Sequence, residues 1–222
     1  MAGVDAALLE SECSLTGRYF ITGTSTGVGK TWVASHWLTQ ASAQGLTCYG
    51  VKPVASGCHL INGQLCNQDA LALLAASTEP LTYEEVNPFA FAPAVAPHWA
   101  AKQVGVDLSV ERMMNEMAPT LQTSADLVVV EGVGGWLVPL NQRETMADFA
   151  RALGYPVVLV VDMRLGCLNH ALLTASAIAQ AGLELAGWVA NRLPHRVGSE
   201  AAFKENYAYL CEALGSAPWQ MV

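Results

Sequence analysis

Two unbroken runs of apolar residues, Val128-Val129-Val130 and Val157-Val158-Leu159-Val160-Val161, constrain this chain more than any other feature. A strand with one wet face alternates apolar and polar residues. An unbroken β-branched run needs cover on both faces, which is the situation of a strand inside a parallel sheet. Segments 18–23, 47–51 and 185–190 read as further strands, beside 127–130 and 156–161. Helical stretches lie between and after them at 30–44, 69–76, 109–121, 145–153, 169–181 and 200–214. Strand and helix in alternation predict a single-domain α/β fold with a doubly wound, mostly parallel sheet. The 222 residues suit one large domain, with 52% apolar and 14% charged residues, a balance that supplies a core and argues against disorder. Segment 78–106 contains Pro80, Pro88, Pro93 and Pro97 and reads as a long irregular connection. Connections of that length are usually functional.

The first strand runs into Gly23-Thr24-Ser25-Thr26-Gly27-Val28-Gly29-Lys30-Thr31, and a helix follows. Glycines let backbone N–H groups turn inward around a phosphate, and the helix N-terminus adds partial positive charge. In such a loop Lys30 neutralises the β- and γ-phosphates and the Thr31 hydroxyl binds Mg²⁺. The usual phosphate loop places four residues between the first glycine and Gly-Lys-Thr; here there are five, Thr24 to Val28. The strand–loop–helix context is intact, so the expected fold is that of a P-loop NTPase.

Ligands of open parallel sheets sit outside the carboxyl ends of the strands. Those ends here carry Lys52 to Gly57, then Glu131 to Trp136, then Asp162 with Gly166-Cys167-Leu168-Asn169-His170, then Asn191-Arg192. Glu131 closes an entirely apolar strand and reads as a metal ligand rather than a surface carboxylate. Asp69 precedes a helix and could either cap it or reach Mg²⁺. Lys52 could be a solvated strand-end lysine; with Ser56 close behind, it suggests a second anionic ligand.

The formal charge of −8 disfavours nucleic acid and anionic membranes as partners. Residues 1–17 hold Asp5, Glu10 and Glu12 and no early Lys or Arg. They read as a flexible extension ahead of a domain over 18–222, and not as a secretory signal. The six cysteines make no C-x-x-C pair and read as reduced thiols of a cytoplasmic protein.

The segments YFITGTSTGVGKT, VKPVASG, NQDALAL, VNPF, VVVEGVGGW, LGCLNHALLT and AGWVAN, in that order over residues 18 to about 192, closely resemble the dethiobiotin synthetases of biotin biosynthesis. The resemblance implies an ATP-dependent ligase that joins CO₂ to 7,8-diaminopelargonate. A carbamate forms and is phosphorylated to a mixed anhydride. Ring closure then gives dethiobiotin, with ADP and phosphate released. It also implies a homodimer, in which the Gly166–His170 segment acts across the subunit boundary. Residue by residue, Thr31, Asp69 and Glu131 match the family's magnesium ligands, Lys52 its active-site lysine, and Ser56, with Thr26, its substrate contacts. Gly27, Val28, Gly29, Lys30, Thr31 and Trp32 match the phosphate cradle. The nucleotide site is implied to extend over Gly132, Val133, Gly134, Asn191, Arg192, Pro218, Trp219 and Gln220, with Asn191 reading the base. Gly27 stands where some members carry an acidic residue, and the chain stops three residues after Trp219. With Asn191 as the main base contact, ATP is expected to be preferred over other triphosphates only by roughly tens-fold.

A rival class shares the fold and loop: partition or division-site ATPases, which act as switches. Their signature is a second lysine early in the loop, K-G-G-x-G-K-T. Aligned on Gly29-Lys30-Thr31, that position is Ser25, and no basic patch or amphipathic anchor is evident.

Overall fold

The structure, a computed structural model, describes residues 15–192, 199–216 and 218–221. Most of the N-terminal extension read from the sequence therefore lies outside the described residues. The elements run β1 (Gly17–Gly23), α1 (Lys30–Ala43), β2 (Cys48–Val51), β3 (Val54–Ser56), β4 (His59–Ile61), β5 (Gln64–Cys66) and α2 (Gln68–Ala76). They continue through α3 (Tyr83–Val86), β6 (Phe89–Phe91), α4 (Pro97–Gln103), α5 (Val110–Leu121), β7 (Leu127–Glu131) and α6 (Met146–Leu153). The last are β8 (Val157–Asp162), α7 (Cys167–Gln180), β9 (Leu185–Asn191), α8 (Glu200–Ala213) and β10 (Gln220–Met221).

Six strands form one sheet in the order β10-β9-β8-β1-β7-β2, and every pairing in it is parallel. β7 and β8 are buried at every position, as their unbroken apolar runs require. Successive residues serve opposite faces. Phe20, Val128 and Val130 join one core with Met113 of α5 and Phe149 of α6. Ile21, Val129, Val158 and Val160 join the other with Trp37 and Leu38 of α1 and Leu73 of α2. Each buried Val or Leu of this kind contributes roughly 1.5–3 kcal/mol of transfer free energy.

Segment 78–106 is not irregular throughout. It holds α3, β6 and α4. α3 is only four residues long and is defined by a capping box between Thr82 and Glu85. β6 pairs in parallel with β3 in a two-stranded satellite sheet. Three- and four-residue elements carry too little periodicity to be read from sequence. α7 begins at Cys167, two residues earlier than the pattern predicts, with Gly166 as its cap.

Candidate active site

β1 delivers the loop at the middle of the sheet. Gly27 and Gly29 both take left-handed φ values, 72° and 93°, conformations that favour glycine. Gly29 is the N-cap of α1 and supplies no side-chain cap. The first-turn N–H groups of α1 are thus left for a ligand. Lys30 is buried, and its Nζ donates to the Ser25 carbonyl at 3.2 Å and the Gly134 carbonyl at 2.6 Å. Burial lowers its pKa to about 8, with Glu131 and Asp69 opposing the shift and Lys52 adding to it.

β2 and β7 are neighbours in the sheet, so Lys52, just past β2, and Glu131, the last residue of β7, meet. Lys52 Nζ lies 2.5 Å from Glu131 Oε1 and 3.0 Å from Asp69 Oδ2. The Thr31 hydroxyl donates to the same Glu131 Oε1 at 2.9 Å. Glu131 Oε2 is buried with no hydrogen-bond partner. Burial alone would lower the Lys52 pKa; its attraction to Glu131 and Asp69 outweighs burial and holds it above the ordinary lysine value. Burial would raise the Asp69 pKa, but Lys52 above all, then Thr31 and Lys30, hold it below the usual carboxylate range.

Of the two roles left open for Asp69, the cap is taken by another residue. The cap of α2 is Asn67, whose Oδ1 accepts the Asp69 N–H at 3.0 Å. The Asp69 carboxylate is therefore free of capping and pairs with Lys52. Behind it, the Tyr83 hydroxyl accepts the Asn67 N–H at 2.8 Å and donates to Asn87 Oδ1 at 2.8 Å. Asn87 Nδ2 in turn donates to the Lys52 carbonyl at 2.6 Å. α3 thus holds the starts of both arms of the Lys52–Asp69 pair. Asn67 was legible as an Asx cap ahead of an apolar helix; Tyr83 and Asn87 carry no sequence signal of their own.

These groups line one cleft of about 710 Å³. Among the residues expected in the site, Thr26, Gly27, Gly29, Trp32, Ser56, Val133 and Gly134 also line it. Ser56 Oγ is buried there with no hydrogen-bond partner. Ala94 to Pro97 close one wall, so part of the proline-rich segment belongs to the site, as its length suggested. Val28 is instead a buried core residue, and Gly132 stands behind the cleft with its N–H on the Ile21 carbonyl at 2.9 Å.

Five further expected residues do not line this cleft. Asn191 is buried and donates one amide hydrogen to the Val28 carbonyl at 2.7 Å. Arg192 pairs with Glu200 at 2.7 Å and stacks over Phe203. Pro218 is buried. The Trp219 indole packs edge-on against Tyr19 and beside Trp37, and Gln220 pairs with Val189 in the edge strand. The Trp219 indole thus packs the chain just ahead of β10 against the core.

A family model described as an AAA domain matches residues 17–221. The ATP-dependent dethiobiotin synthetase BioD of Pseudomonas aeruginosa (strain UCBPP-PA14) is 52% identical over 196 residues, covering 88% of this chain and 85% of that protein. The proteins of the same name from Cellvibrio japonicus (strain Ueda107) and Nitrosospira multiformis (strain ATCC 25196) are 50% and 47% identical, covering 88% and 90% of this chain and 84% and 88% of theirs. Among solved structures, a ParA family ATPase from Chlorobium tepidum superposes with a TM-score of 0.53 at 13% identity, covering 92% of this chain and 83% of its own. The cell division protein FtsY of Thermotoga maritima gives 0.51 at 14%, covering 95% and 62%. Identities this low speak to the fold alone, so the partition-ATPase reading has only a distant fold relation behind it. At about half identity over nearly nine-tenths of its length, the chain belongs to the ATP-dependent dethiobiotin synthetase family.

Proposed function

We propose that this chain converts 7,8-diaminopelargonate, CO₂ and ATP to dethiobiotin, ADP and phosphate, and that it does so in the cleft between the phosphate loop and Lys52. The observation that carries the reading is the convergence of Lys30, Thr31, Lys52, Asp69 and Glu131 at the carboxyl ends of three neighbouring strands. The phosphate loop and the first turn of α1 hold the triphosphate, with Lys30 on its terminal phosphates. A phosphoryl transfer demands positioning and charge stabilisation more than covalent help. Lys52, in the same cleft, would offset the repulsion between a carbamate anion and the triphosphate. Ser56, with its unpaired buried hydroxyl, is available to orient the diamine, and Thr26 faces the same space.

Mg²⁺ is usually held by one or two carboxylates together with substrate phosphates. The Thr31 hydroxyl, Asp69 and Glu131 fit that description, and the unpartnered Glu131 Oε2 is the kind of buried donor a cation satisfies. When bound, the ion would offset charge on the β- and γ-phosphates. Among the described residues no three His, Cys, Asp or Glu side chains form a group that could hold a metal ion.

The family resemblance further supports a homodimer in which the N-terminus of α7 reaches the partner's substrate. Leu165, at the tip of that loop, is 95% exposed. The five described cysteines are all free thiols, which supports a reducing, cytoplasmic setting. Among the described residues, no helix is long and apolar enough to cross a membrane. Incubation of the pure protein with diaminopelargonate, bicarbonate, Mg²⁺ and ATP, followed by mass spectrometry, tests the reaction: dethiobiotin is expected, and ATP turnover without it would overturn the reading.

A further inference from the structure

Asn191 ends β9, buried in register with Asp162 of β8, and its backbone carbonyl accepts the Met163 N–H at 2.8 Å. The residue is thereby anchored in the sheet. Its side chain crosses to the phosphate loop, where Nδ2 donates to the Val28 carbonyl at 2.7 Å, 163 positions away in sequence. The loop is fitted to that amide: a Cβ on the next residue, Gly29, would run into Asn191 Nδ2.

A loop that cradles an anion turns N–H groups inward and carbonyls outward. An outward carbonyl buried against the sheet needs a donor. The Val28–Gly29 peptide is planar and trans, so its C=O and N–H point in opposite directions. Holding the Val28 carbonyl on Asn191 therefore sets the direction of the Gly29 N–H, away from Asn191. Without the amide, the carbonyl finds a partner only by rotating the peptide. That rotation misdirects the Gly29 N–H and turns a partial negative charge toward the anion.

We propose that Asn191 is a positioning residue of the phosphate loop: by pinning the Val28 carbonyl to the end of β9 it sets the Val28–Gly29 peptide plane and aims the Gly29 N–H at the bound phosphates. The inference rests on the reading of the loop as a triphosphate site and is independent of what the triphosphate activates. It differs from base recognition, the role the family resemblance implies for this side chain, and a ligand without a base separates the two.

The probe is magnesium tripolyphosphate, titrated calorimetrically into the wild type, Asn191→Ala and the near-isosteric Asn191→Asp, beside ATP and GTP. Loss of a hydrogen bond that orients a donor to a charged ligand weakens binding by about tenfold. Tripolyphosphate, ATP and GTP are each expected to lose at least that factor. In the ligand-free variants, hydrogen exchange over residues 23–31 is expected to quicken while the sheet strands stay protected. Unchanged tripolyphosphate affinity with a loss confined to ATP would assign Asn191 to the base and overturn the proposal. Unchanged exchange over 23–31 would do the same, as would failure of the wild type to bind tripolyphosphate or unfolding of both variants. A wild type that binds tripolyphosphate and makes no dethiobiotin would sink the proposed reaction and leave this inference standing.

Discussion

At the scale of single residues, the site is defined by how charge is shared around Glu131. Its Oε1 receives both the Thr31 hydroxyl and the Lys52 ammonium, while Oε2 is left free. Glu131→Gln keeps the shape and an acceptor oxygen but removes the charge. The fold should survive, while the Mg²⁺ concentration for half-maximal activity should rise and turnover fall by about ten- to a hundredfold. Wild-type turnover across a magnesium titration would remove Glu131 from the metal site. Lys52→Ala removes the cation from between two carboxylates. A lost charge-assisted contact in a transition state costs on the order of 2–4 kcal/mol, so turnover should drop steeply, with ATP affinity changed far less. Collapse of ATP binding, measured by titration, would place Lys52 with the nucleotide instead of the carbamate.

At the scale of elements, the strands must start in register for their ends to align. Asp126, just before β7, does this at the far edge of the sheet from the cleft. Its Oδ2 accepts both the N–H and the hydroxyl of Thr47, each at 2.8 Å, tying the start of β2 to that of β7. These two hydrogen bonds, the backbone one first, hold the Asp126 carboxyl below its ordinary value. A carboxylate depressed on folding contributes stability above its unfolded pKa, near roughly pH 4, and loses it as pH falls through the lower folded value. Thermal melts between pH 6 and 3 should therefore show a destabilisation on acidification that is smaller in Asp126→Asn. Identical pH dependence in the two proteins would mean that the clamp carries no linkage.

At the scale of the whole molecule, the topology explains where the cleft opens. From β1 the chain leaves past β7 to β2, and from β8 it leaves in the other direction to β9. Connections that part in this way leave a crevice at the carboxyl ends of the strands, and the phosphate loop stands at its rim. The overall charge of −8 repels a triphosphate, so binding depends on the phosphate loop and the buried Lys30 rather than on the general field. The proposed dimer belongs to this scale too. Light scattering should return twice the 23.5 kDa chain mass, and a fully active monomer would contradict a site shared between subunits.

Much of the fold and the centre of the site were legible without coordinates. The strand runs at 127–130 and 156–161 could be read because burial on both faces leaves no room for polar residues; the structure lengthens the first by Glu131 and shifts the second by one residue, to Val157–Asp162. The glycine pattern of the phosphate loop was legible because inward-facing N–H groups and left-handed φ values restrict which residues can stand there. The satellite pair β3–β6 and the short α3 and α4 were not legible, since their few residues are held by packing and caps rather than by any period. The sharing of one carboxylate oxygen by Thr31 and Lys52 and the reach of Asn191 to Val28 were settled only by tertiary structure. Sequence dictates which residues lie buried along a strand, because burial is a property of each position. Which buried polar atom pairs with which depends on the distance between elements up to 163 positions apart, and that distance exists only once the sheet has formed.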